Sequence, residues 1–202
     1  MWPFEKKRTH PASARAEIYQ GFFRSVPSIV HPFNAVEPHV DVYQFPPAGD
    51  GRDFHTLVTS GMSDAPMKVP ASRKHVPRRA ELLLYTPELH IDAVQFLRFV
   101  AAFPTLSGSY FEAGSTIALP ENWMQTKGSP HIAAFIGFPR DDDVRLESEM
   151  VIESERVALY MPMLISAAER DLVVAKGPLA LLDAIEASGS NFEFGPLRPS
   201  SV

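Results

Sequence analysis

Apolar positions along this chain repeat at two spacings, and the switches between them mark out its elements. Ser13 to Phe23 has helical spacing, with Ile18, Phe22 and Phe23 on one side, Ser13 placed as N-cap and Gly21 as a weak point. His39 to Phe45 alternates as a strand and stops at Pro46-Pro47. A turn over Ala48 to Arg52 joins it to the apolar run Phe54 to Ser60, so the two are expected to form a hairpin. Residues 65 to 78 follow as a proline-marked loop. Arg79 to Tyr85 is the third strand, with Leu82 and Leu84 on one face and Arg79 and Glu81 on the other.

Further along, Ile91, Val94, Leu97 and Val100 define a helix that Pro104 is expected to end. A loop of Gly, Ser and aromatic residues then carries Tyr110, Phe111 and Trp123, with a short strand at Thr116 to Leu119. Ile132 to Phe138 predicts a buried central strand. Arg145 to Ile152 alternates, with Leu146, Met150 and Ile152 on the apolar face, and Val157 to Leu164 is the next strand. Ser166-Ala-Ala-Glu169 is a capping box opening a helix that Gly177 closes. Pro178 starts a last helix, carrying Leu179, Leu182 and Ile185 as far as Gly189. Runs of strands with helices inserted between them imply an α+β fold.

Phe54 to Met67 is the most specific stretch. Its strand runs into a turn around Gly61, which can take positive φ, and the side chains of Ser63 and Asp64 are expected to bond nearby backbone N–H groups. Gly61-Met62-Ser63-Asp64-Ala65 also follows the Gly-x-Ser-x-Ala pattern of a nucleophile elbow, which requires a strand, a tight turn and a helix. Pro66 and Pro70 bracket Met67-Lys68-Val69 and leave no helix to stabilise an oxyanion. His131 is the nominal base, yet nothing in the sequence pairs it with Ser63. The stretch therefore reads as a structural turn, with a serine hydrolase using Ser63 as the alternative. Met62 and Met67 either pin the turn to the core or face a partner.

His39 and Asp41 lie two apart on a strand and project from one face, where a His and a carboxylate can bind a metal or move a proton. Metal sites need three or four protein ligands, and the remaining histidines are scattered. A structural polar pair is expected, with a small-ligand or metal sensor at His39 and Asp41 as a further alternative. Arg78-Arg79 with Glu81 has the makings of a carboxylate or phosphate clamp, but Arg79 and Glu81 are expected to pair with each other or with a neighbouring strand. Asp141-Asp142-Asp143 lacks the spacing of a calcium loop and reads as a solvated turn. Glycine-rich phosphate loops are absent. No metal and no cofactor are expected.

Composition narrows the class. The 202 residues suffice for one domain, and 45% apolar with 21% charged residues is ordinary for a globular chain. A net charge of −5 argues against a general nucleic-acid binder, and the short basic runs Lys6-Lys7-Arg8 and Arg73 to Arg79 read as solvated surface. The absence of cysteine excludes disulfides and thiolate chemistry. No run approaches the roughly 20 apolar residues of a membrane span, and the first residues lack a signal-peptide core, so a cytoplasmic protein is expected.

Ser60-Gly61-Met62-Ser63-Asp64 with Pro66 and Met67 resembles the Thr/Ser-Gly-Met-Ser-Asp-x-Pro-Met signature of the suppressor of fused domain family, in its single-domain bacterial form. His39-Val40-Asp41 leading to Pro46-Pro47, Arg79-Ala80-Glu81-Leu82, the helix from Ile91, and Arg198 near the end are similar to further motifs of that family. The resemblance, which spans about residues 39 to 200, implies a mixed, largely antiparallel sheet flanked by helices; the chain is then expected to divide into an N-terminal segment with a helix over residues 1–30 and a suppressor of fused-like domain over 31–200, in one compact domain overall. The resemblance further implies a non-enzymatic protein-binding module whose partner is a protein, with an immunity protein that neutralises a toxin as one form. On that reading the 60–67 loop is a partner-binding or purely structural motif. An exposed patch is then expected from Met62, Asp64, Met67, Tyr110, Phe111 and Trp123.

Overall fold

A computed structural model of the chain describes residues 11–32, 37–48, 52–121, 123, 128–152, 154–190 and 192–202. In chain order the elements are α1 (Pro11–Phe23), β1 (Ser28–Val30), β2 (Asp41–Phe45), β3 (His55–Ser60), single 3-10 turns at Met62–Asp64 and Ala71–Arg73, β4 (Arg79–Thr86), α2 (Ile91–Ser107), β5 (Thr116–Ala118), β6 (His131–Gly137), α3 (Asp141–Glu149), β7 (Val151–Ile152), β8 (Glu155–Ser166), α4 (Ala167–Lys176) and α5 (Pro178–Ala187). The strands form one mixed sheet in the order β1-β2-β3-β4-β8-β6-β5, with β7 pairing on β8. Among these pairings only β4 with β8 is parallel.

β4 is the strand around which both cores assemble, and every one of its residues is buried. Side chains alternate across a strand. Ala80, Leu82 and Leu84 therefore join one core with Val94, Leu97 and Val100 of α2. Leu83 and Tyr85 join a second core with Tyr19 of α1, Leu146 of α3, and Leu181 and Ile185 of α5. The α+β class and the helices flanking a mixed sheet are as expected, and β2 and β3 form the anticipated hairpin, with Asp41 opposite Ser60 and Phe45 opposite Thr56. Its turn falls largely on residues 49–51, outside the described residues.

Four local expectations fail for identifiable reasons. Ser13 does not cap α1, which already begins at Pro11. Pro104 does not end α2: the helix runs on to Ser107 and stops at Gly108, whose φ of 64° is left-handed. Residues 145–152 are not a strand: α3 runs from Asp141 to Glu149 and only Val151–Ile152 is extended. Leu146 and Met150 are four apart and suit a helix as well as a strand. The three aspartates, read as a solvated turn, occupy its first turn, where the helix dipole favours negative charge.

The capping box at Ser166 and Glu169 forms in both directions, and Glu169 also ties down the C-terminal segment. Arg198 donates to its two carboxylate oxygens at 2.7 and 3.0 Å and to the Leu164 carbonyl, and the Ser201 N–H donates to Glu169 at 2.9 Å. Burial raises the Glu169 carboxyl, but the Arg198 hydrogen bonds and the Ser166 and Ser201 N–H groups outweigh it and hold it at about 2. A depressed acid stabilises the fold above its ordinary value of 4.5, and that stability is lost as pH falls towards about 2. Urea unfolding across that window should show a loss on the order of 2 kcal/mol from this group. Arg198→Ala should flatten that limb; an unchanged limb would refute the clasp. No helix among the described residues is long and apolar enough to cross a membrane.

Candidate functional site

The signature turn is built around a buried carboxylate. β3 delivers Thr59 and Ser60, the 3-10 turn delivers Met62 to Asp64, and β4 places Glu81 beneath them with no exposed surface. Gly61 and Ser63 donate their N–H groups to Glu81 Oε1 at 3.0 and 3.1 Å. The Ser63 hydroxyl donates to the same oxygen at 2.6 Å, and the Thr59 hydroxyl to Oε2 at 2.7 Å while accepting from the Leu82 N–H. Burial pushes the Glu81 carboxyl up, and Arg15 with the hydroxyl and backbone donors holds that rise in check.

Arg15, on α1, closes the arrangement from above. Its side chain is 2% exposed, donates to Ser60 Oγ at 2.8 Å, Ser63 Oγ at 3.2 Å and Asp64 Oδ1 at 2.6 Å, and lies 3.6 Å from Glu81 Oε1. Tyr19, one turn further on, is fully buried and donates to the Thr59 carbonyl at 2.8 Å. Arg79 donates to the carbonyls of Ser63 and Asp64 and pairs with Glu155 on the neighbouring β8. The Ser63 side chain thus serves a carboxylate and the Asp64 side chain an arginine, where backbone N–H partners were expected, because Glu81 and Arg15 are buried charges and each draws on the nearest polar partner. Arg15 was not singled out in the sequence: its partners lie some 45 to 49 residues away.

The geometry decides between the two roles left open for the methionines. Met62 and Met67 are buried in the core that contains α2, as is Phe111, and Tyr110 and Trp123 pack against that core. Of the apolar or acidic patch expected from these residues, Met62, Met67 and Phe111 are withdrawn into the core, and of the 60–67 loop only the acidic Asp64 with Ala65 and Pro66 reaches the surface. Ser63 is wholly buried, and its hydroxyl is engaged by Glu81 and Arg15. His131 lies on β6, bonded to Ser129 and facing the Pro196 carbonyl, where burial and Arg198 lower it to about 4. The turn continues into extended chain at Ala65, so no helix follows the serine.

Two further polar groupings emerge. His39 and Asp41 are side by side as expected, with His39 Nε2 3.1 Å from Asp41 Oδ1, and His31 joins them at 2.8 Å. At the other end of the β2–β3 hairpin, Arg52 holds the buried Asp143 through two bonds, and Tyr85 donates to it at 2.6 Å. Beside them opens a cleft of about 820 Å³ whose lining includes Phe23, Arg24, Arg52, Arg140 and Arg145 and the carboxylates Asp142 and Glu149. Arg140 sits 5.0 Å over the Phe54 ring.

A sequence profile of the suppressor of fused protein (SUFU) family matches residues 36–198. The chain belongs to the SUFU family. The solved structures agree on the fold at low identity. A SUFU homologue from Neisseria gonorrhoeae FA 1090 superposes with a TM-score of 0.67 at 16% identity, covering 95% of this chain and 97% of that one. A chain of the Sufu–Fu complex gives 0.64 at 12% identity, over 95% and 92%. Drosophila Suppressor of Fused gives 0.64 at 11%, over 95% of this chain but 51% of its own. No curated protein matches the sequence at a significant level. Within the SUFU match lie the whole 60–67 signature and its acceptor Glu81, whereas Arg15 precedes it.

Proposed function

We propose that this SUFU-family chain is a non-enzymatic protein-binding domain, acting as an immunity protein that neutralises a partner protein by occupying it. The observation that carries the reading is the state of Ser63. The single hydroxyl in the signature with elbow spacing has no exposed surface and is held between a carboxylate that accepts from it and an arginine that donates to it, so it cannot reach a substrate. A relative crystallised as the Sufu–Fu complex supports binding as the kind of work done.

The cleft beside Arg52 supplies the surface. Exposed Arg24, Arg140 and Arg145 surround the half-buried Phe23 ring, with Phe54 buried beneath Arg140, and arginine is among the residue types enriched in binding hot spots. The four arginines of the cleft outnumber its two carboxylates, Asp142 and Glu149, so an acidic segment of the partner fits the net charge, while the rim at Asp64 to Pro66 is a second, smaller contact.

Co-expression with the products of neighbouring genes should yield one stoichiometric complex that survives gel filtration. Arg140→Glu with Arg145→Glu should weaken it at least tenfold. Failure to bind any of those products would count against the proposal. The purified chain should also stay unlabelled by a fluorophosphonate; labelling that disappears in Ser63→Ala would establish the hydrolase reading instead.

A further inference from the structure

We propose that His31, His39 and Asp41 form a surface site for a divalent transition-metal ion of the Zn²⁺ type. The proposal goes beyond protein binding and does not depend on it. Sequence spacing offers two ligands, His39 and Asp41, which is too few. Strand pairing supplies the third.

β1 pairs antiparallel with β2, with Ile29 opposite Tyr43 and Val30 opposite Val42. One further step of that register sets His31 across from Asp41. His39 precedes Asp41 by two positions and faces the same way. The outcome is convergence: His31 Nδ1 and His39 Nε2 lie 2.8 and 3.1 Å from one Asp41 oxygen, and the three ligand atoms are all within 4.8 Å of one another.

A tetrahedral zinc with bonds of about 2.0 to 2.1 Å separates its ligand atoms by roughly 3.3 Å. With the ligand atoms within 4.8 Å, closing the histidine pair to that distance needs a shift of at most about 1.5 Å. Both side chains are free to make it, being 65% and 56% exposed. Two imidazoles and a carboxylate suit zinc and its neighbours in the transition series, whereas calcium and magnesium prefer all-oxygen sites. Three protein ligands leave a fourth position for water or for a side chain of a bound partner.

The backbone carrying the ligands is held in place. Arg98 of α2 donates to the Val40 carbonyl at 3.2 Å, between His39 and Asp41, and to the Val30 carbonyl at 2.6 Å, immediately before His31. One guanidinium thus staples both ligand-bearing segments, which is the preorganisation a surface site needs. Its positive charge, close enough to act on Asp41, works against a cation and moderates the affinity.

The test uses the full chain with any histidine tag removed, stripped with a chelator and titrated with Zn²⁺ by calorimetry. One equivalent should bind. His31→Ala and His39→Ala should each weaken binding at least tenfold, while His90→Ala, an exposed histidine elsewhere, leaves it unchanged. Zinc should raise the thermal midpoint of the native chain and not that of the His31→Ala/His39→Ala double variant, whose circular dichroism checks that it folds. The proposal is overturned by a native chain that takes up no zinc, or by uptake equal in the double variant. Either result leaves a hydrogen-bonded His–Asp–His clasp only.

Discussion

Glu81→Ala is expected to destabilise the domain by about 4 kcal/mol, since removing one partner of a buried ionic network typically costs roughly 3 to 5 kcal/mol. The reason is what remains behind. The N–H groups of Gly61 and Ser63 and the hydroxyls of Ser63 and Thr59 would lose their acceptor inside the protein, and Arg15 would lose one of its two carboxylates. Glu81→Gln keeps an oxygen for the three donors that converge on Oε1 and should cost only about 1 to 2 kcal/mol. Arg15→Met tests the coupling: combined with Glu81→Ala it should cost less than the sum of the two, by about 1 to 3 kcal/mol. Urea midpoints at constant slope measure all four. A loss below about 1 kcal/mol for Glu81→Ala would show that the carboxylate does not organise the turn.

Gly61→Ala is expected to cost as much, through the backbone instead of electrostatics. Gly61 has φ of 127° and ψ of −21°, and an added Cβ would lie 2.1 Å from the His39 carbonyl oxygen. Side chains adopt such backbone angles at a cost of roughly 1 to 3 kcal/mol, and overpacking adds about the same again. The total is about 4 kcal/mol. Relief would require moving either the turn or the segment that leads into β2, which Arg98 holds at the Val40 carbonyl and β2 anchors through its pairing on both sides. Gly189→Ala is the control. Its φ of 69° is also left-handed, but nothing lies within 4 Å of the added methyl, so the cost should stay near 1 kcal/mol. Equal midpoints for the two variants would rule out the close approach at Gly61.

These two variants probe the part of the molecule that was most legible beforehand. The demand for glycine at position 61 follows from a tight turn leaving a strand, and Pro66 and Pro70 were enough to deny Ser63 its helix. The Ser166–Glu169 capping box and the β2–β3 hairpin were equally open to view, because each depends on neighbours a few residues away. Residues 145–152 show the limit of that logic. Leu146 and Met150 satisfy both spacings, and the choice went to the helix that buries Asp143 against Arg52 and Tyr85, partners some 91 and 58 residues away. Met62 and Met67 show another limit: a methionine beside a turn is equally suited to core and to interface, and only packing under α2 settled it.

By itself, then, the sequence determined the kinds and order of most elements, the α+β class and the shape of the signature turn. Those depend on side-chain spacing, on φ preferences and on missing N–H groups, all local properties. The tertiary structure decided which charges meet. Glu81, alternating correctly on its strand, became the buried acceptor of a turn and the counter-charge of Arg15 because β3, β4 and α1 converge there. His31 came to Asp41 only through the β1–β2 register. Long-range pairing is set by burying two faces of one sheet at once, and no window along the chain contains that condition.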